Sequence, residues 1–241
     1  MFKTVTDPLF AILYPQPCQN CDNISENLAD GAACAGCWEK TRIFSGNETL
    51  CYKCGTFLSE NESPFETFCR RCDGHFYDLA RAAGIYEHGL AVSVIRMKTT
   101  PHLSAKARGL FLSAFRSSSF GDATRIIPVP LSRKRFLERG FNQAAVLARI
   151  LAKDSRVVLD EETLLRKVHT PVHRAAMDRK ARDLTVRNAF EIAKPGSLKD
   201  ENILLVDDVF TSGATASYCA RALKKNGAGK VYVLTLARAV R

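Results

Sequence analysis

Residues 203–215 read Ile-Leu-Leu-Val-Asp-Asp-Val-Phe-Thr-Ser-Gly-Ala-Thr, an apolar run followed by two carboxylates and a small, hydroxyl-rich turn. The apolar run at residues 203–206 predicts a buried strand, and residues from about 215 to 226 have the pattern of a helix. A second apolar run follows at residues 231–236. A strand, a helix and a strand at this spacing predict a right-handed βαβ unit in a parallel sheet.

The turn after the first of these strands has the composition of a phosphate site. Gly213 lets a backbone approach a ligand closely, and the N-terminus of the following helix supplies a positive field. The hydroxyl donors are Thr211, Ser212 and Thr215. The carboxylates of Asp207 and Asp208 would repel an anion unless they bound the hydroxyls of a ribose or a Mg²⁺ ion. The sequence therefore predicts a phosphate site, with either a ribose or Mg²⁺ at the carboxylates, at the C-terminal end of the strand, where open α/β sheets bind ligands.

This stretch resembles the binding motif for 5-phosphoribosyl-1-pyrophosphate (PRPP) of type I phosphoribosyltransferases, in which a hydrophobic run, two acidic residues and a Thr/Ser-rich Gly turn occur in this order. The resemblance implies the α/β fold of those enzymes, a parallel sheet flanked by helices. It assigns the ribose hydroxyls and a catalytic role to Asp207 and Asp208, with Mg²⁺ accompanying PRPP. The 5-phosphate would bind the residues of the turn, Thr211, Ser212, Gly213, Ala214 and Thr215.

A basic turn upstream is a candidate for binding the diphosphate of PRPP. The apolar residues 126–129 predict a short buried strand, and Ser132, Arg133 and Lys134 follow it. A turn at the C-terminal end of a neighbouring strand would place these donors around a diphosphate. The position resembles the pyrophosphate loop of the same enzymes. A solvated basic turn is the alternative that these commonplace residues leave open.

Residues 166–187 are strongly basic and poor in large apolar side chains, which predicts a mobile loop. They correspond in position to the flexible catalytic loop of phosphoribosyltransferases. A basic loop that closed over the site would neutralise the departing diphosphate and exclude water. Lys167 and His169 are the candidate catalytic residues there, and the alternative is that such side chains are ordinary surface groups.

Eight of the nine cysteines form four Cys-x-x-Cys pairs near the N-terminus, the spacing of metal ligands. They are Cys18, Cys21, Cys34, Cys37, Cys51, Cys54, Cys69 and Cys72. Two structural Cys₄ zinc ribbons in sequence are the expected arrangement, while crossed pairing among the four turns, disulfides and unligated thiols are the alternatives. The sequence thus predicts a double zinc-ribbon module over residues 1–74 and a phosphoribosyltransferase-type domain over residues 75–241.

The net charge of +10 is unevenly distributed between these two parts. Residues 1–74 contain six Lys and Arg against ten Asp and Glu, whereas residues 75–241 contain 29 against 15. A basic domain attracts polyphosphates and nucleic acids alike. No apolar run approaches the roughly 18 residues of a membrane span, and no signal-peptide pattern is present. We therefore expect a cytoplasmic protein that does not insert into membranes.

The order of these features resembles the ComF family of competence-associated proteins, also labelled amidophosphoribosyltransferase-like. The resemblance rests on the paired cysteines, Ile-Pro-Val-Pro at 127–130, Glu-Arg-Gly-Phe-Asn-Gln at 138–143, the basic loop and residues 205–215. It implies DNA uptake in natural transformation, with PRPP, single-stranded DNA and DNA-uptake or helicase proteins as partners. Phe136 and Phe141 are possible stacking platforms for bases. The alternative is an active phosphoribosyltransferase with an unidentified small-molecule acceptor, and whether catalysis survives stays open.

Overall fold

The structure, a computed structural model, describes residues 16–25, 27–58, 67–167 and 189–240. Its strands are β1 (Gln16–Pro17), β2 (Ile24–Ser25), β3 (Leu79–Ala82), β4 (Arg125–Pro128), β5 (Val158–Leu159), β6 (Leu164–Arg166), β7 (Phe190–Ile192), β8 (Ile203–Phe210) and β9 (Val231–Arg238). Its α-helices are α1 (Ala35–Glu39), α2 (His88–Arg96), α3 (Ala105–Arg116), α4 (Arg133–Arg139), α5 (Gln143–Ser155) and α6 (Ala214–Lys225). Within these residues, no helix combines the length and apolar character that crossing a membrane requires.

Five of these strands form one sheet in the order β3-β9-β8-β4-β5, and every neighbouring pair is parallel. Side chains of the central strand β8 alternate between two cores. Leu204 and Val206 belong to one buried cluster, whereas Ile203 and Leu205 belong to the other. A parallel sheet is covered on both faces for this reason. The predicted α/β fold, a parallel sheet flanked by helices, and its β8-α6-β9 unit are confirmed.

Helices divide between the two faces of the sheet. Phe111 of α3 and Leu147 of α5 pack in the cluster that contains Leu204, and α2 contributes to the same face. Ala220 and Leu223 of α6 pack in the opposite cluster. The strand ends that carry the predicted ligand residues therefore lie between α5 on one side and α6 on the other.

Two elements differ from the sequence prediction at their ends. β8 does not stop at Val206 but continues to Phe210, because β9 extends far enough to pair with it as far as Arg238. The basic segment after β4 is a helix rather than a turn. Ser132 caps α4 by accepting a hydrogen bond from the backbone N–H of Arg135 at 3.4 Å.

The zinc-ribbon part packs directly on the sheet domain. Trp38 of α1 covers Gly89 so closely that a Cβ there would lie 2.5 Å from the indole ring. The backbone N–H of Ala80 donates to the carbonyl of Lys53 at 2.7 Å. The first ribbon thus shares the core on the α2 and α3 face, and the second shares the core on the α6 face. The domain boundary near residue 74 stays a prediction.

A small antiparallel pair, β6 with β7, lies apart from the main sheet. The backbone N–H of Lys167 donates to the carbonyl of Ala189 at 2.9 Å, so these two residues lie side by side. Most of the predicted catalytic loop, residues 168–188, falls outside the residues that the structure describes.

Candidate phosphate site and zinc centres

The predicted phosphate turn is a tight connection between β8 and α6. Gly213 precedes the helix with φ of 78°, in the left-handed region that other residues rarely adopt. A Cβ at this position would lie 2.7 Å from the Phe210 ring and 3.0 Å from the His75 ring. Thr211 and Ser212 just before it are exposed. The turn therefore requires glycine, and it presents two hydroxyl groups beside the N-terminus of a 12-residue helix.

The two carboxylates of β8 lie on opposite faces of the sheet. Asp208 lies on the α5 side, where its Oδ2 accepts a hydrogen bond from Nε2 of Gln143 at 3.1 Å. Asp207 lies on the α6 side, near the buried thiol of Cys219. Burial raises the pKa of Asp207 well above its usual value, and the charge of Asp208 raises it further. The charge of Arg166 opposes this shift. Joint contact of both carboxylates with one ribose therefore stays a prediction.

The eight paired cysteines gather into two groups of four. Cys18, Cys21, Cys34 and Cys37 form one group, and Cys51, Cys54, Cys69 and Cys72 form the other. Six Sγ–Sγ pairs within the groups lie between 3.5 and 3.7 Å apart, and all Sγ atoms of a group lie within 4.8 Å of one another. A tetrahedral zinc with Zn–S bonds of about 2.3 Å needs sulfurs about 3.8 Å apart. The thiols fit two Cys₄ zinc sites, and the consecutive pairing is the one observed.

Backbone donors support thiolate charge in the second group. Burial alone would raise the pKa of Cys51, but the N–H donors of Cys54 and Cys69, together with side-chain hydrogen bonds to Cys54 and Cys72, outweigh burial and lower this pKa to about 7. The N–H of Cys69 donates to Cys51 Sγ at 3.2 Å. Zinc binds the thiolate form, so these donors favour the ligand state. Because four sulfurs close the shell, the chemistry available to the metal is structural.

Comparison with known proteins agrees with this arrangement. Residues 9–73 match the family model of the double zinc ribbon domain. The DNA utilization protein YhgH of Salmonella typhimurium is 30% identical over 219 residues, 88% of this chain and 92% of that protein. Competence protein F of Haemophilus influenzae is 28% identical over 222 residues, 88% of this chain and 93% of that protein.

The chain belongs to the ComF family. A further ComF relative, competence protein ComFC of Bacillus subtilis, is 28% identical over 223 residues, 83% of this chain and 89% of that protein. Among solved structures, a purine phosphoribosyltransferase from Pyrococcus horikoshii is 21% identical and covers 55% of this chain and 72% of its own, with a TM-score of 0.32. A likeness that distant carries no weight, and the fold assignment rests on the parallel sheet and its βαβ unit.

The ComF segment at residues 138–143 has a structural role that its sequence did not reveal. Asn142 caps α5, and its Nδ2 donates to the carbonyl of Val129 at 3.0 Å. Gln143, only 6% exposed, donates to Asp208. The segment therefore ties the end of β4 and the start of α5 to the carboxylate of β8. The pair Asn142-Gln143 at the start of a helix was the available signal in the sequence. It could not reveal the partner of Gln143, which is 65 residues away.

Two buried polar atoms of this ComF segment have no hydrogen-bond partner among the described residues. They are Oε1 of Gln143 and Nη1 of Arg139. Buried polar atoms are nearly always paired in folded proteins, and exceptions mark sites that a ligand completes. The unpaired acceptor of Gln143 lies on the side chain that contacts Asp208, and an acceptor there suits a hydroxylated ligand. Neither Gln143 nor Arg139 belongs to a sequence pattern that predicts a ligand.

The remaining predicted site residues of the ComF chain lie in different surroundings. Ser132 is buried at the N-terminus of α4, and Arg133 and Lys134 are exposed in its first turn. Lys167 forms an ion pair with Glu191 of β7. His169 lies outside the described residues. The diphosphate role of the basic turn and the catalytic role of Lys167 and His169 therefore stay predictions.

Arg166, next to Lys167, is a cation that acts on the carboxylate of Asp207. Its guanidinium lies 5.3 Å from the ring of Phe190, across the β6-β7 pair. From there its charge favours the ionised form of Asp207. A cation at the entry to the predicted catalytic loop therefore reaches the site electrostatically.

Proposed function

We propose that this ComF protein binds PRPP with Mg²⁺ in the cytoplasm and handles single-stranded DNA during natural transformation. The observation that supports the proposal most is that Asp207, Asp208 and the Gly213 turn lie together at the C-terminal end of the central strand β8. Relatives over nearly the whole chain are named competence protein F and DNA utilization protein. Fold alone does not give function, so the proposal rests on the site and on these relatives together.

The residues present fit Mg²⁺-PRPP in three ways. The turn offers hydroxyls and a helix N-terminus to the 5-phosphate. Asp208 accepts a hydrogen bond from the amide of Gln143, and its carboxylate has capacity to accept another from a ribose hydroxyl. Gln143 lies beside Asp208 and has a buried amide oxygen without a partner among the described residues, which can accept from a second hydroxyl. Mg²⁺, when bound, neutralises the charge of the diphosphate, and carboxylate oxygens are the ligands it prefers.

The first test is calorimetric titration of the zinc-loaded protein with Mg²⁺-PRPP, with and without a short single-stranded DNA, at a stated salt concentration. We expect micromolar PRPP binding that changes when DNA is present. Salt-sensitive DNA binding without any PRPP binding would mean that the fold serves as a nucleic-acid scaffold. PRPP binding without DNA binding would remove the DNA part of the proposal.

A second candidate is an active phosphoribosyltransferase with a small-molecule acceptor. The position of Arg166 favours this candidate, since a cation that acts on Asp207 can also stabilise the negative charge of a departing diphosphate. Release of diphosphate from PRPP, measured with candidate nucleobases and amines and compared with DNA, separates the two candidates. Release that depends on a small acceptor and is indifferent to DNA supports the second.

Gln143 gives a prediction for the PRPP site. Gln143→Leu removes the donor to Asp208 and replaces it with an apolar side chain of similar size. Hydrogen bonds to charged groups contribute about 1.5–3 kcal/mol. We therefore expect the affinity for PRPP, measured by calorimetry, to decrease at least roughly tenfold. Gln143→Glu, which places a carboxylate against Asp208, is expected to weaken binding more. Unchanged affinity in a folded Gln143→Leu protein would show that Asp208 does not need this contact.

A further inference from the structure

The second zinc ribbon and the phosphate turn enclose a cavity of about 420 Å³, a volume in the range of small-ligand sites. Arg71 and Cys72 contribute from the ribbon, and Thr211, Ser212 and Tyr218 contribute from the turn and α6. Asp207 and Asp208 do not line it. The cavity therefore adjoins the two carboxylates and shares the hydroxyls of the turn with the PRPP site, so that a phosphate bound in it would compete with the 5-phosphate of PRPP for these donors.

Aromatic and cationic side chains hold the inner wall of this cavity. Arg238 lines it and is 8% exposed, because its guanidinium donates to the carbonyl of Cys54 and lies 4.7 Å from the Phe210 ring centroid. Tyr77 lies edge-on to Phe210, with ring centroids 5.9 Å apart. This wall connects the second zinc centre to the turn, so the shape of the cavity is set by packed side chains of the fold.

Phe76 is the exposed aromatic residue of the cavity lining. Its ring is 40% exposed although it lies against α6. The backbone N–H of Phe76 donates to Ser217 Oγ at 3.1 Å, and the guanidinium of Arg221 lies 5.4 Å from the ring centroid. Ser217 and Arg221 are four residues apart, on one face of the helix. The ring is therefore fixed in place beside a cation, as in platforms that stack nucleobases.

Charge favours an anionic partner at this platform. Arg71 and Arg238 line the cavity together with one carboxylate, that of Asp73, and the guanidinium of Arg221 lies over the Phe76 ring. Exposed hydroxyls of Thr211 and Ser212 add neutral donors. An aromatic platform combined with cations and hydroxyls matches a base and its phosphate together, which is the chemistry of single-stranded nucleic acid.

We infer that this cavity binds a nucleotide of single-stranded DNA, with the base stacked on Phe76 and the phosphate near Arg71 and the hydroxyls of the turn. The inference rests on the proposed function and names the surface that performs its DNA part. It places DNA beside the PRPP site, on residues from both the second zinc ribbon and the sheet domain.

The test is fluorescence anisotropy of the full zinc-loaded chain with a labelled oligo-dT of about 12 nucleotides at fixed salt. Stacking contributes on the order of tenfold or more in affinity per base, so we expect Phe76→Ala to bind at least about tenfold more weakly. Phe76→Trp keeps an aromatic face and should restore affinity, whereas Phe76→Leu keeps volume only and should not. Zinc content and PRPP titration of each variant report an intact fold.

Phe136 provides the matched control. It is 49% exposed and lies on the basic helix α4, and it is one of the two stacking platforms, with Phe141, that the sequence suggests. Phe136→Ala should leave DNA affinity unchanged. Full affinity in Phe76→Ala or Phe76→Leu, or loss in Phe136→Ala alone, overturns the cavity assignment. If the unaltered chain binds no DNA, the DNA part of the proposed function fails as well, and PRPP titration shows whether the PRPP part stands.

Discussion

Replacing both Asp207 and Asp208 by asparagine is expected to abolish measurable binding of Mg²⁺-PRPP. Each side chain can accept from a ribose hydroxyl, and a bound Mg²⁺ would favour the ionised form of Asp207, whose pKa burial raises. Each hydrogen bond to such a charged group contributes about 1.5–3 kcal/mol. Loss of both corresponds to a decrease in affinity of more than about a hundredfold. Calorimetric titration of the double variant measures it. The fold should persist, because asparagine has the shape of aspartate and removes the repulsion that raises the pKa of Asp207.

Single variants separate the two carboxylates, which face α6 and α5 respectively. If one ribose contacts both, Asp207→Asn and Asp208→Asn each weaken binding by a similar factor. If only one face binds the ribose, one single variant accounts for most of the loss. Asp154→Asn is the matched control, because Asp154 pairs with Arg116 on the surface. Unchanged PRPP affinity in a folded double variant would remove the ribose assignment.

Cys51→Ser should release about one zinc per chain and destabilise the protein by several kcal/mol. Closed Cys₄ sites contribute roughly 10–16 kcal/mol to the folding of isolated zinc-finger peptides, so losing one ligand costs a substantial share. Each kcal/mol lowers the melting temperature by about 2–4 °C for a chain of this size. Atomic absorption measures the zinc, and thermal unfolding measures the stability. Unchanged metal content would refute the ligand assignment.

The same variant should also weaken PRPP binding. Cys51 belongs to the second zinc group, and its neighbour Cys54 accepts the hydrogen bond of Arg238, which packs on Phe210. Phe210 in turn supports Gly213 of the phosphate turn. Cys21→Ser is the matched control, because it removes the first zinc, on the opposite face of the sheet. Equal effects of the two variants on PRPP affinity would argue against this path.

Local patterns were sufficient for the core of the fold. The apolar runs around α6 predicted the βαβ unit, and the cysteine spacing predicted two groups of four. Both signals lie within short stretches of chain, where periodicity and ligand spacing are informative. The phosphate turn was recognisable for the same reason, because its strand, carboxylates, hydroxyls and Gly213 are consecutive.

Long-range contacts explain what the sequence could not predict. The extra length of β8 comes from pairing with the far end of β9, and the role of Gln143 comes from Asp208 in another strand. The packing of Trp38 against Gly89 likewise joins distant parts of the chain. Helix α4 was missed because its charged residues match a solvated turn equally well. Each of these features depends on partners that no local pattern identifies.

The position of β9 also sets the order in which the protein can be completed during synthesis. β3 lies at the edge of the sheet and pairs with β9, which is made after every other described strand. Until residues 231–238 leave the ribosome, β3 and one side of β8 lack their neighbour. Unpaired apolar strand edges favour aggregation, and contacts between distant residues form slowly. We therefore expect nascent chains that stop before β9 to depend on chaperones and to lack a formed phosphate turn.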